Sequence, residues 1–225
     1  MTRILLAACA VVVALAQPSF AADLARPVYK APAAPYFVAP FSWTGFYVGI
    51  NGGYGWGKSD WSSTAGTANT TPKGWLVGGT LGYNLQTGVW VWGLEADIDF
   101  STMDGTNVGT GICAGGGCET KNTWFGTGRG RIGYAAGRFL PYITGGAAFG
   151  DVKMTTAAGM STTDTRVGWT VGGGLEYAFL GAWSAKVEYL YADLGNATCE
   201  AATCGVDTEV SYKTNIVRAG INYRF

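Results

Sequence analysis

The chain has 225 residues, with 15 Lys+Arg against 15 Asp+Glu and no His. Neutrality removes any global electrostatic pull towards nucleic acid, and the absence of His removes Ser-His-Asp and Cys-His catalysis and His-ligated zinc or haem. Charged residues make up 13%, about half the share usual in a soluble globular protein, while 36 positions are Gly and 14% are aromatic, so part of the surface calls for a solvent other than water.

The first element is an export signal. Met1 to Arg3 is basic, Ile4 to Ala16 carries no charge, and Ser19 and Ala21 are small residues at the −3 and −1 positions of a cut before Ala22. The apolar run is shorter than the roughly 20 residues a spanning helix needs. Residues 1–21 are therefore expected to be a secretory signal peptide. Residues 22–41 hold Pro27, Pro32, Pro35 and Pro40 and read as an extended periplasmic linker.

From residue 42 onwards the pattern has a period of two. In 46–57, Phe46, Val48, Ile50, Tyr54 and Trp56 share one face, and Tyr47, Gly49, Asn51, Gly53, Gly55 and Gly57 share the other. The same split recurs at 75–86, 90–100, 167–179, 183–191 and 217–225. Across these six segments 32 of 35 positions on one face are apolar, against 5 of 31 on the other, as expected of strands whose faces meet different environments. Two weaker, Gly-rich segments, 124–134 and 142–150, complete a set of eight by their spacing.

Short links (87–89, 135–141 and 180–182) alternate with long ones (58–74, 101–123, 151–166 and 192–216 as outer limits). This predicts an all-β fold: an eight-stranded antiparallel transmembrane β-barrel over 42–225, with short periplasmic turns and long external loops. Volume fixes which face points out. Eight strands enclose a space just wide enough for side chains to fill, and Trp56, Trp75, Trp90, Trp92, Trp169 and Trp183 with their apolar neighbours would overfill it. The bulky face is expected to meet lipid and the glycines to line the bore, which makes the barrel an integral protein of the outer membrane.

The inward face then carries Glu95, Asp97, Asp99, Glu176 and Glu188 with Arg129, Arg131, Arg166, Lys186, Arg218 and Arg224. Confined charges must pair or be solvated, so these eleven residues are expected to form an ion-pair network in the lumen. Such a network either plugs the barrel or lines a polar path. Cys113, Cys118, Cys199 and Cys204 form two Cys-x4-Cys pairs in external loops. In an exported chain these favour local disulfides over a four-thiolate zinc site, although spacing does not fix the connectivity.

The last residues, Arg218, Gly220, Tyr223 and Phe225, have the spacing of the terminal signal of outer-membrane barrels. The stretch from Trp43 to Gly55, the run from Gly126 to Tyr134 and the run from Pro141 to Gly150 resemble the alphaproteobacterial outer-membrane immunogenic, porin-like proteins. The resemblance implies an OmpA-type barrel whose final strand is read by the barrel-assembly machinery, after periplasmic chaperones have carried the chain. It also implies outer-membrane lipid, including lipopolysaccharide, as the surroundings, and it transfers no catalytic residue. Neither a metal, a cofactor nor nucleic acid is expected. The reading reached is a structural barrel of the envelope displaying surface loops, and not an enzyme; its rivals are a low-conductance channel and a surface adhesin.

Overall fold

The computed structural model describes residues 41–63, 66–107, 118–155, 161–199 and 208–225. Nine strands follow in chain order: β1 (Gly45–Ser63), β2 (Gly66–Thr70), β3 (Lys73–Thr87), β4 (Trp90–Asn107), β5 (Cys118–Tyr134), β6 (Phe139–Thr155), β7 (Ser161–Leu180), β8 (Trp183–Cys199) and β9 (Thr208–Arg224). All but β2 form one antiparallel barrel, each strand pairing with the next and β9 closing onto β1. β2 is a short addition, paired with the outer part of β1 from Ser59↔Thr70 to Ser63↔Gly66.

Register fixes the shape. Following paired residues from Tyr47 leads through Gly82, Glu95, Arg129, Gly146, Thr170, Ala192 and Thr214 and back to β1 at Gly57, ten residues beyond the start. A shear of ten over eight strands at ordinary strand spacings sets a tilt of about 41° and a backbone radius of about 8 Å. Side chains from opposite walls meet at that radius, so the bore can be filled.

The alternation read from the sequence is the alternation observed. Leu94 and Phe100 are 73% and 77% exposed on the outer face, and Glu95 and Asp99 between them are buried. Outer aromatics form two girdles. Phe46–Tyr83, Trp90–Tyr134 and Trp183–Tyr223 ring contacts sit at the end holding the short turns, and Tyr54–Trp75 and Trp169–Tyr191 at the other. The two weak segments, 124–134 and 142–150, are strands whose outward positions are small: Gly126, Gly128 and Gly130 on β5, Gly145 and Ala147 on β6. At Gly128, Gly130 and Gly145 a Cβ would meet nothing closer than 3.5 Å, so there the lipid face is simply shallow.

Each short turn is set by one left-handed glycine, at φ 64° for Gly88, 63° for Gly137 and 50° for Gly181. The middle turn is tighter than its expected limits of 135–141, because Pro141 lies within β6 opposite Leu175. The β5–β6 ladder stops at Gly133↔Tyr142, so a residue lacking N–H is tolerated at its end.

The barrel strands also outgrow the alternating segments. β7 has 20 residues, about 50 Å of barrel height at this tilt, whereas the apolar band of such barrels is about 25 Å tall. Beyond the band the outward face meets water while the inward face stays packed, with Ser59, Thr120 and Val210 buried, so outward positions need not be apolar and the period-two signal ends while the hydrogen-bond ladder continues. On β5 a bulge between Lys121 and Phe125 also flips the facing of the strand. Asp151 holds it, its carboxylate accepting hydrogen bonds from the backbone N–H of Thr123 at 2.9 Å and of Trp124 at 3.0 Å.

Candidate functional site: the filled bore

The interior has three layers. The middle one is ionic. Arg129 bonds Glu95, Asp97 at 2.8 Å and Glu188 at 3.0 Å. Arg218 reaches from β9 across the lumen to Asp97 at 2.9 Å and Asp99 at 2.7 Å on β4, and bonds Glu188 at 2.7 Å on the neighbouring β8. Lys186 lies 3.0 Å from Glu95 and 3.4 Å from Glu188. Arg131 lies 2.8 Å from Glu176 and 3.5 Å from Glu95, and its Nε donates to Asn84 Oδ1 at 3.0 Å.

Neutral groups complete this layer. The Arg131 guanidinium is stacked between the rings of Tyr47 and Tyr142, at 5.1 and 4.8 Å from their centroids. The Tyr47 hydroxyl donates to Glu95 at 2.7 Å, and the Tyr142 hydroxyl to Glu188 at 3.3 Å. Thr127 donates to Asp97 at 2.6 Å; Ser184 and Asn222 donate to Glu176 at 2.6 and 2.9 Å. Such charges are tolerated away from water because each meets opposite charge and further hydrogen bonds. Glycine makes the room. A Cβ at Gly82 would fall within the Tyr47 ring, and one at Gly78 on the Asp99 carboxylate.

Apolar layers cover the ions on both sides. Towards the loops, Leu76, Met103, Phe125, Leu190, Leu194, Val210, Tyr212 and Ile216 form one buried cluster inside the barrel. Towards the turns, Trp43, Val91, Leu140 and Ala178 form another, with Phe41 against it. Trp43 is 1% exposed. Its indole N–H donates to the Gly137 carbonyl at 3.1 Å, and its backbone N–H to Gln86 Oε1 at 2.7 Å, tying the segment before β1 to the middle turn and to the end of β3. The five apolar exceptions on the inward face are thereby placed: Leu76 and Leu190 in the outer layer, Val91 and Ala178 in the inner one, and Tyr47 beside Arg131.

The sequence model of the family described as "Outer membrane protein beta-barrel domain" matches residues 7–225. The chain belongs to this family. It is 38% identical over 232 residues to a 31 kDa outer-membrane immunogenic protein of Brucella melitensis, covering 93% of this chain and 95% of that one. A 25 kDa outer-membrane immunogenic protein of Brucella abortus is 34% identical, with 92% and 91% covered. A 22 kDa outer membrane protein of Rhizobium leguminosarum is 35% identical, with 82% and 79% covered. Among solved structures, Neisserial surface protein A has a TM-score of 0.46 at 17% identity, covering 81% of this chain and 98% of that one.

In this outer-membrane barrel, nine of the eleven charged positions singled out on the inward face come together: Glu95, Asp97, Asp99, Arg129, Arg131, Glu176, Lys186, Glu188 and Arg218. Arg224 does not join them. It lies at the periplasmic mouth with its guanidinium over Phe41 at 4.5 Å and Trp43 at 5.7 Å. Arg166 stands opposite Gly150 near the outer end of β7, four residues beyond Thr170 and half-buried. Both sit at rims that alternation alone could not tell from the middle of the bore.

Sequence reasoning missed Trp43 and Tyr142, the first because it precedes the first strand and the second because its segment read weakly. The terminal aromatics Tyr223 and Phe225 face outward and touch at 5.3 Å, and the Phe225 N–H closes the sheet on the Phe46 carbonyl at 2.9 Å. Cys113 and Cys204 lie outside the described residues, as do the side chains of Cys118 and Cys199.

Proposed function

We propose that this protein is a sealed, structural barrel of the outer membrane that contributes to envelope integrity and presents its external loops at the surface, with no catalytic role. One observation carries the reading: the bore is occupied through its depth by an ionic layer held between two apolar layers. A hydrated ion entering from either mouth first meets side chains buried to 0–2% exposure, such as Phe125, Ile216, Trp43 and Leu140, and apolar constrictions of this kind exclude water. The immunogenic relatives in Brucella support the loops as an exposed antigenic surface. Tyr223 and Phe225 remain the candidates for recognition by the assembly machinery.

Single-channel recording on the refolded, full-length barrel in planar bilayers tests the proposal. No conductance step above the protein-free background is expected at either polarity. Steps that recur with wild-type protein and scale with its amount would establish the low-conductance channel instead. Envelope integrity is tested by the detergent sensitivity of a deletion strain. Complementation by a barrel whose external loops are replaced by short turns is expected to restore resistance, and failure to do so would move the function to the loops.

A further inference from the structure

We propose that the outer face of β1, with its neighbours β9 and β3, carries a binding site for a phosphorylated glycolipid of the outer leaflet, in which Lys58, Lys73 and Lys213 hold the phosphate. The proposal deepens the outer-membrane assignment and is independent of whether the bore conducts.

Three observations converge on this site. The first is a conflict in the sheet. Lys58 has one cross-strand register partner, and it is Lys213. Both side chains point outward. Like charges directly opposite each other on one face, with Cβ atoms about 5 Å apart, repel; Asp193, opposite Lys213 on β8, offsets part of this, and Lys58 has no acid among its cross-strand register partners. Lys73 pairs with Trp56, two positions from Lys58, which brings a third ammonium to the diagonal position.

The second is shape. The three lysines line a single concavity of about 480 Å³, with Trp56, Tyr191 and Asn215 on its membrane side and Pro72 on its outer side. Asp60 also lines it, and Asp193 and Asp104 stand opposite Lys213 and Lys73 on the next strands. The lining residues are cationic by two charges and the two flanking aspartates offset them, so the attraction is local to the three ammonium groups around the concavity.

The third is depth. Tyr54–Trp75 and Trp169–Tyr191 mark the outer aromatic girdle, the level of the lipid headgroups. The lysines lie just beyond it, and exposed Ile50 and Val77 continue towards the membrane centre below. A ligand filling this surface must therefore join phosphate directly to acyl chains, and on the loop side of an outer-membrane barrel that is the phosphorylated glycolipid of the outer leaflet.

The test uses the full-length barrel in detergent micelles, with bound lipid counted by native mass spectrometry. The probes are diphosphoryl lipid A, the same lipid with its phosphates removed, and inorganic phosphate. Each lysine beside an anionic headgroup contributes about a factor of five, so Lys58→Gln/Lys73→Gln/Lys213→Gln is expected to weaken diphosphoryl lipid A roughly a hundredfold. A control, Lys121→Gln/Lys153→Gln, removes the other outward lysine pair, which is joined across β5 and β6, and is expected to leave affinity near wild type. Equal loss in the control would overturn the site in favour of a diffuse positive belt. Equal binding of dephosphorylated lipid, or binding of inorganic phosphate as tight as that of the lipid, would overturn it too. These two arms use wild-type protein, so they decide the matter even if the triple variant does not fold.

Discussion

Arg218 gives the sharpest handle on the ionic layer. Its guanidinium is 1% exposed and pairs with Asp97, Asp99 and Glu188. Replacing it with Met keeps the volume and removes the charge. Asp97 then retains Arg129, and Glu188 retains Arg129 and Lys186. Asp99 alone loses its only ion-pair partner among the described residues. Stranding one charge in this way costs about 3–5 kcal/mol. Since the stranded group is identified, Asp99→Asn should repair most of the damage. Arg218→Met/Asp99→Asn is expected to recover about 2 kcal/mol or more of that loss, and subtracting the cost of Asp99→Asn alone gives the coupling energy. Urea unfolding from lipid vesicles, followed by Trp fluorescence, measures all four corners of the cycle. A loss below about 1 kcal/mol for Arg218→Met would refute the claim that the layer is dry and mutually paired. A double variant no better than the single one would refute the assignment of Asp99 as the stranded group.

Trp43→Ala removes the periplasmic cap and its bond to the Gly137 carbonyl; it should cost about 3–5 kcal/mol in the same unfolding assay, while planar bilayers still show no conductance because two layers remain. Gly82→Ala places a methyl group within the Tyr47 ring and should cost about 1–3 kcal/mol; a neutral result would mean that the ring has another seat. Phe225 is 76% exposed on the outer face, so Phe225→Ala should change refolded stability by about 1 kcal/mol or less yet reduce the amount inserted in cells. Equal insertion, measured by outer-membrane fractionation, would remove Phe225 from the assembly signal.

How far the sequence could be read follows from what each face touches. Lipid demands apolar side chains at every second position, and that demand made 90–100 legible residue by residue. Where the outer face is built of Gly126, Gly128, Gly130, Gly145 and Ala147 the demand is met by small residues, and the pattern fades although the strands do not. Above the girdle the strands continue with their outward face wet, so polar residues stand on both faces, and there β2, the outer parts of β6 and β7 and the Asp151-clamped bulge leave no periodic trace. The bore was legible in its charges and not in its caps. Leu76, Val91, Ala178 and Leu190 register in a single sequence only as noise in the alternation. Only register, which puts Leu76 near Met103 and Ile216 from distant strands, turns that noise into a layer.

The register also gives a reason for a filled bore to carry so many ions. Val217, Ala219 and Ile221 on the lipid face of β9 are interchangeable as far as the membrane is concerned. A slip of β9 by two residues would leave most of that face apolar, with only Asn215 drawn below the girdle in one direction, so lipid contributes little to choosing the register. A slip by one would turn Arg218 into lipid and is excluded by the alternation itself. The two-residue alternatives are separated only by what lies inside, where a slip would carry Arg218 away from Glu188, Asp97 and Asp99 together and put Gly220 or Ile216 in its place. Ionic contacts fail abruptly with distance and leave unpaired buried charge behind, whereas apolar contacts degrade gradually. Charges placed on β4, β5, β7, β8 and β9 therefore penalise two-residue slips that the lipid face tolerates, and the apolar caps on either side keep water from relieving the penalty.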